Sequence, residues 1–207
     1  MSGDVRRIKR FLLATLLWLP ICFIGWAVLA SFLGYVPAKL TGAILTQAWP
    51  GLFASAEYHA PGLTLVTALV VPQAGRLGQL LFEVDPMMYG YGLPLFVALA
   101  MATPLSSGRR AAQSLLAMLV VWLVQVAGLV SAALRLVVFE AGNLGAVATR
   151  AAGLSPEMVA FAYQFTYLVL PAVLPAVLWI LLNRRFIEPL GRGRAEPRPD
   201  AGGLSGD

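Results

Sequence analysis

Residues 11–33 read FLLATLLWLPICFIGWAVLASFL and contain no charged side chain. At about 1.5 Å of rise per residue, a helix of this length crosses the roughly 30 Å hydrocarbon core of a bilayer. Three further apolar stretches follow at residues 89–105, 111–134 and 158–182. The chain is therefore predicted to cross a membrane several times.

Composition leads to the same class by a separate route. Hydrophobic residues make up 59% of the chain and charged residues 12%, whereas soluble domains are about half apolar and a quarter charged. We predict an all-α polytopic membrane protein with four transmembrane helices. They lie at residues 11–33, 86–105, 111–134 and 158–182, with an outer insert at residues 34–85 and an outer loop at residues 135–157.

The basic residues are distributed unevenly in this arrangement. Most of the fifteen fall on one side of the membrane, and only Lys39, Arg76, Arg135 and Arg150 fall on the other. Because short loops rich in Lys and Arg stay in the cytoplasm, both termini are predicted to be cytoplasmic. The net charge of +5 is attributed to this orientation signal and to anionic lipid, and no nucleic-acid partner is predicted.

The two ends of the chain differ in character. Residues 1–10 are a basic start, and residues 186–207, rich in Gly, Pro and charge, are predicted to be a disordered cytoplasmic tail. The start also resembles a secretory signal. The apolar region of such signals spans only about 7–15 residues, so an uncleaved anchor is favoured.

The second span has an explicit start signal. Asp85 can cap a helix whose first residue is Pro86, where the missing N–H costs nothing. Pro94 would then clash with the carbonyl of Gly90, since proline interrupts the helical hydrogen bonds. A bent or broken start is therefore expected for this helix.

The last span begins in the same way and is interrupted in its middle. Ser155 is a predicted cap before Pro156, and Glu157 lies in the first turn, where a negative charge is favourable. Pro171 and Pro175 predict a kink that neighbouring helices must support.

Polar side chains within the spans are few. Gln125 and Gln164 lie at similar predicted depths, and an amide contact between them would stabilise two helices by about 0.5–2 kcal/mol. Because no ionisable group accompanies them, they do not form the polar path that a transporter or channel needs. A structural contact is the favoured interpretation.

All six tyrosines fall on the predicted outer side or in the outer half of a span. An aromatic belt at the membrane interface explains most of them. Alternatively, Tyr163 and Tyr167, which share a helical face with Gln164, line an outward-facing groove with Tyr89 and Tyr91.

The outer insert is predicted to contain both helix and strand. Residues 38–49 have the apolar spacing of a short interfacial helix. Residues 63–71 and 76–84 are strand-like and are joined by a turn, which predicts a β-hairpin lying on the membrane surface.

The insert also carries the candidate reactive groups. Glu83 and Asp85 could act as paired carboxylates with His59, the single histidine, although capping and solvation explain the two acids more simply. Cys22, the single cysteine, lies mid-membrane, where burial disfavours a thiolate. Neither a metal site nor a cofactor site is predicted, because no ligand cluster or nucleotide motif is present.

One segment is more distinctive than the rest. It runs GRLG at residues 75–78, FEVDP at residues 82–86 and YGYGLP at residues 89–94. With the basic start, the long anchor, the outer insert and the closing spans, it resembles the exosortase H-associated membrane proteins over roughly residues 8–185.

This resemblance implies a function that the residues alone do not show. Exosortases are bacterial membrane transpeptidases that handle proteins with a C-terminal sorting signal, and they use a cysteine, an arginine and a histidine at the outer ends of spans. Cys22 and His59 do not match that pattern. The resemblance therefore implies a non-catalytic accessory subunit in the bacterial inner membrane, which stabilises an exosortase or presents its substrate.

The segment also supplies the candidate partner-binding residues. They are Glu83, Asp85, Pro86, Tyr89, Gly90, Tyr91, Gly92 and Pro94. The alternative function is an independent membrane enzyme that acts at the outer face through Glu83, Asp85 and His59.

Overall fold

The computed structural model describes residues 2–73 and 76–187, with the side chains of residues 2–5, 73 and 76 left out. The predicted tail lies outside the described residues from residue 188 onward. The described chain is mainly helical and carries a small antiparallel sheet. Its helices are α1 (Ser2–Ala48), α2 (Gly92–Ala102), α3 (Ser107–Glu140), α4 (Gly142–Ala151), α5 (Pro156–Gln164) and α6 (Leu170–Leu182).

Three helical segments of the described chain are long and apolar enough to cross a membrane. They are Arg6–Ala48, Ser107–Glu140 and Pro156–Leu182. The last combines α5, a five-residue π-helix over Phe165–Val169, and α6. Four crossing helices were predicted. The second of them is shorter in the structure than a membrane crossing requires.

The predicted helix over residues 86–105 is corrected to two shorter pieces. A 3₁₀ helix covers Pro86–Tyr89, and α2 has only 11 residues. At about 1.5 Å per residue α2 rises about 17 Å, little more than half of a bilayer core. It lies among α1, α3 and α6, and this position explains why every second residue from Gly92 to Ala100 is buried.

The outer insert also differs from its prediction. Residues 38–48 continue α1, a helix of 47 residues that passes through Pro37 without a break. No separate interfacial helix forms there. The sheet has three strands, β1 (Phe53–His59), β2 (Gly62–Gln73) and β3 (Arg76–Val84), in the order β1-β2-β3. The predicted hairpin corresponds to β2 and β3, and β1 was not predicted.

The sheet packs against the far end of α1. Leu63, Leu65 and Thr67 alternate along β2 and are all buried, as expected for a strand with one covered face. A Cβ atom on Gly42 of α1 would lie 2.9 Å from the Cβ of Ala56 on β1. The glycine therefore allows close contact between helix and sheet.

The hydrophobic core has two parts at opposite ends of the helices. The larger part joins the sheet to α1, α3 and α5 through residues such as Leu45, Phe53 and Val137. The smaller part surrounds Phe96 and Trp179, with Phe11 of α1 stacked on Trp179 at 5.3 Å. We call these the sheet end and the arginine end, since Arg109, Arg110, Arg184 and Arg185 lie at the second.

Candidate partner-binding site

The distinctive segment begins with a tight turn at the sheet end. Asp85 accepts a hydrogen bond from the Met87 amide at 2.8 Å and so caps the 3₁₀ helix, with Pro86 in its first turn. The start signal predicted from the sequence is thus confirmed, although the helix it starts is a 3₁₀ turn. The amide of Gln125 on α3 donates to the Pro86 carbonyl at 3.1 Å. This bond fixes the turn to the middle of α3.

Glycines let neighbouring helices approach this turn closely. A Cβ on Gly90 would lie 2.6 Å from Nε2 of Gln125. A Cβ on Gly92 would lie 2.7 Å from Cγ of Pro175 and 2.8 Å from the Pro171 carbonyl. All three distances are shorter than real Cβ contacts, so Gly90 and Gly92 permit the close approach of this segment to α3 and α6.

Tyr89 is the main side chain of this contact and is almost completely buried. Its ring lies over Gly128 of α3, where any Cβ would overlap Cδ1 of the ring. It also makes an edge contact with Tyr167 at 6.2 Å between centroids, and Tyr167 stacks on Tyr163 at 5.6 Å. The predicted shared face of Tyr163 and Tyr167 is confirmed.

The segment is therefore divided between interior and surface. Pro86, Tyr89, Gly90, Gly92 and Pro94 are buried. Glu83 and Asp85 are exposed, and Tyr91 is half-buried. Tyr91 lines a shallow cleft of about 320 Å³ with Met88, Tyr167 and Leu168.

The predicted amide pair does not form. Gln125 is buried and bonded to Pro86, whereas Gln164 is exposed. A different polar contact joins α3 to the last span, because the hydroxyls of Ser131 and Thr166 lie 2.7 Å apart in the interior. Small hydroxyl side chains in apolar helices were the only sequence signal for this bond.

The π-helix adjoins the same cleft. Its backbone bond runs from the Leu170 N–H to the Phe165 carbonyl, because Pro171 lacks an N–H and its ring disfavours regular α-helical packing. Pro171 and Pro175 predicted a kink; the structure has a wider turn just before Pro171, and α6 continues through Pro175. Tyr167 and Leu168, which line the cleft, lie within that turn.

The three groups of the enzyme hypothesis are placed separately. The His59 side chain is 73% exposed, and its Nε2 lies 3.9 Å from a Glu57 oxygen. Glu83 packs against Gly62, the neighbour of His59 in the β1–β2 turn, and Asp85 serves as the helix cap. Glu83 and His59 lie on opposite edge strands, β3 and β1, at the same end of the sheet beside the start of β2. The enzyme interpretation stays a hypothesis.

Tyr58 links the sheet to the membrane helix. Its hydroxyl donates to the Ser31 carbonyl of α1 at 2.7 Å. Burial, and secondly the negative charge of Asp85, raise the pKa of Tyr58. Among the described residues, no group of three or more His, Cys, Asp or Glu could hold a metal ion.

These features define an integral membrane protein whose apolar helices carry a small sheet at one end. A family model for the exosortase H-associated membrane proteins matches residues 5–186. The chain belongs to this family, as the resemblance indicated. No curated protein and no solved structure matches it.

Proposed function

We propose that this protein is a non-catalytic accessory subunit of an exosortase in the bacterial inner membrane. It stabilises the enzyme or presents proteins with a C-terminal sorting signal. Family membership supports the association. The exposed surface of α1 is the single structural observation that carries the proposal furthest.

One face of the membrane part of α1 is exposed, while Phe11 and Ala30 on the same helix pack inward. None of the residues in its most apolar stretch of 18 is buried, against 44% in α3 and 22% in the last span. Leu16, Val28 and Phe32 are each about two-thirds or more exposed. Transmembrane helices associate by van der Waals packing of such surfaces, so α1 offers a second helix a long contact.

The surface part of the distinctive segment offers a second contact at the outer face. Tyr91 and Met88 lie beside Tyr167 and Leu168 around an open cleft. Aromatic and methionine side chains are enriched in the buried centres of protein interfaces. The buried part of the segment holds this cleft in place through Tyr89 and Gly92.

The proposed topology follows from the same arrangement. The arginine end faces the cytoplasm and the sheet end faces outward, since cytoplasmic loops retain Lys and Arg. In this topology α2, with the 3₁₀ helix before it and residues 103–106 after it, completes a fourth crossing inside the other helices. Both termini are then cytoplasmic.

The test is co-purification of an exosortase with the tagged full-length protein from native membranes in mild detergent. We expect Tyr91→Ala to reduce the recovered exosortase about fivefold or more, because an interface tyrosine contributes about 1–2 kcal/mol. Phe139→Ala is the matched control, as Phe139 is a half-exposed aromatic side chain at the same end, on α3 and outside the cleft. Processing of a sorting-signal protein is measured in the same strains.

Recovery of no exosortase with the unaltered protein would contradict the proposal as a whole. Equal recovery with Tyr91→Ala and Phe139→Ala would remove the cleft from the interface. In that case the α1 surface would be the next contact to alter. His59→Gln is expected to leave processing unchanged, and loss of processing at normal expression would favour the enzyme alternative.

A further inference from the structure

The arginine end contains a cleft that the proposed function does not use. It lies between the start of α3, the segment after α2 and the end of α6, and its volume is about 560 Å³. Residues from all three elements line it. The polar and charged ones are Thr103, Arg109, Gln113, Asn183, Arg184 and Arg185.

The charged side chains that line this cleft are all positive. Its three ionisable lining residues are all arginines, and no carboxylate is among the described residues that line it. Arg109 lies in the first turn of α3, where the helix dipole also favours an anion. The planar guanidinium groups of arginine bind phosphate oxygens in pairs of hydrogen bonds.

A neighbouring arginine shows that not every cation here is available. Arg110 donates from Nε to the Ala100 carbonyl at 3.3 Å and from Nη2 to the Thr103 and Leu105 carbonyls at 3.5 and 3.3 Å. It therefore closes the end of α2. Arg109, Arg184 and Arg185 are exposed, and their side chains form no hydrogen bond or ion pair with other described residues.

The floor of the cleft adds a buried donor. Gln113 is only 8% exposed, and it forms a reciprocal amide pair with Asn183 at 3.4 and 3.2 Å. Asn183 uses its second amide hydrogen on the Trp179 carbonyl at 3.0 Å. One amide hydrogen of Gln113 has no partner among the described residues, and a side-chain amide has two to give.

One side of the cleft is apolar. Leu181 and Leu182 line it and also belong to the exposed surface of α6. A ligand with an anionic head and a hydrocarbon chain would meet arginines at one end and this leucine surface at the other. A soluble phosphate would leave the leucine surface uncovered.

We propose that this cleft binds the phosphate headgroup of one anionic phospholipid. Arg109, Arg184 and Arg185 contact the phosphate, Gln113 donates its free amide hydrogen, and an acyl chain lies along α6 beside Leu181 and Leu182. Basic pockets between membrane helices bind anionic headgroups in this way.

The test uses the purified full-length protein in mild detergent and native mass spectrometry. Phosphatidylglycerol and phosphatidylcholine with identical acyl chains are titrated separately. We expect one phosphatidylglycerol to bind saturably and phosphatidylcholine to bind much more weakly. The double variant Arg184→Gln, Arg185→Gln should weaken phosphatidylglycerol binding about 25-fold, at roughly fivefold per arginine near a membrane surface.

The matched control is Arg7→Gln, Arg10→Gln. It removes the same charge from the same end of the protein, and neither residue lines the cleft. Its affinity should change less than twofold. Equal weakening by the two double variants, or equal binding of the two lipids, would overturn the proposal.

A soluble competitor separates lipid from free phosphate. Glycerol 3-phosphate is added at the concentration of phosphatidylglycerol that half-saturates the protein. We expect it to leave the lipid bound, because it lacks the acyl chains. Displacement of the lipid would overturn the proposal in favour of a soluble phosphate ligand.

Discussion

The contact between Gly128 and Tyr89 gives the sharpest test of how the helices are joined. A Cβ on Gly128 would overlap the Tyr89 ring, with Cγ at 2.6 Å and Cε1 at 2.7 Å. Tyr89 is 1% exposed, so its ring has no room to move aside. Gly128→Ala should therefore force a local separation of α3 from the 3₁₀ turn, and overpacking of this kind costs about 1–3 kcal/mol.

Gly25→Ala is the matched control for this variant. Both glycines lie inside long helices, but a Cβ on Gly25 would meet nothing within 4 Å. Replacing glycine by alanine gains up to about 1 kcal/mol of helix propensity at each site, and this gain cancels in the comparison. The difference in free energy of unfolding between the two variants should thus equal the overpacking cost.

The measurement is unfolding of the purified protein by sodium dodecyl sulfate in mixed micelles, followed by tryptophan fluorescence. Gly128→Ala should be less stable than Gly25→Ala by about 1–3 kcal/mol. Two variants of equal stability, within about 0.5 kcal/mol, would refute the close packing of Tyr89 on α3.

Three further effects can be measured in the same assay. Arg110→Gln should destabilise by about 1–3 kcal/mol because three carbonyls at the end of α2 each lose a guanidinium donor. The exposed Arg109→Gln should change stability by less than about 0.5 kcal/mol. A double-mutant cycle of Ser131→Ala and Thr166→Val should give a coupling of about 0.5–1.5 kcal/mol, and additive effects would contradict their hydrogen bond. Asp85→Ala should cost about 0.5–2 kcal/mol through loss of the cap, while Asp85→Asn should retain most of the stability.

Local signals in the sequence predicted local structure well. Asp85 and Ser155 both accept the expected capping bonds, from the amides of Met87 and Met158. Such a bond depends only on residues two or three positions apart. The length of the helix that follows depends on packing, and this is why the cap at Asp85 was predicted while the 3₁₀ turn after it was not.

The end of α1 shows the opposite case. The first span was predicted to end at residue 33, just before Gly34 and Pro37, two residue types that disfavour a helix interior. In the structure Gly34 lies against Pro86 and Tyr58, and Pro37 is buried, so contacts with distant residues stabilise the continued helix. The sequence around Gly34 and Pro37 does not show these contacts, because their partners are distant in the chain.

Strand β1 was missed for a related reason. Its sequence, FASAEYH, contains alanine, serine and glutamate, which are weak strand formers. Pairing with β2 and packing of Phe53 supply the stability that its own residues lack. The adjacent β2, which is rich in valine and leucine, was recognisable alone.

The candidate sites divide in the same way. The distinctive segment was found from its sequence, but the separation of buried Tyr89 from accessible Tyr91 required the packing of α3. From the sequence, Arg109, Arg184 and Arg185 were interpreted only as basic residues that set the orientation in the membrane. Their convergence on one cleft depends on the approach of α3 and α6, which are far apart in the chain.

The π-helix sets the rotational phase of α6 relative to α5. A π-turn contains one residue more than an α-turn, and one residue corresponds to about 100° around a helix. The wider turn accommodates that residue, so deleting Leu168 should restore a regular helix and leave α6 near its present orientation. Deleting Val173 within α6 would instead turn the rest of that helix by about 100°. Trp179 would then lose the Thr103 hydroxyl and Asn183 would lose Gln113, so the π-turn is the place in the last span where a change of length is compatible with the polar contacts of α6.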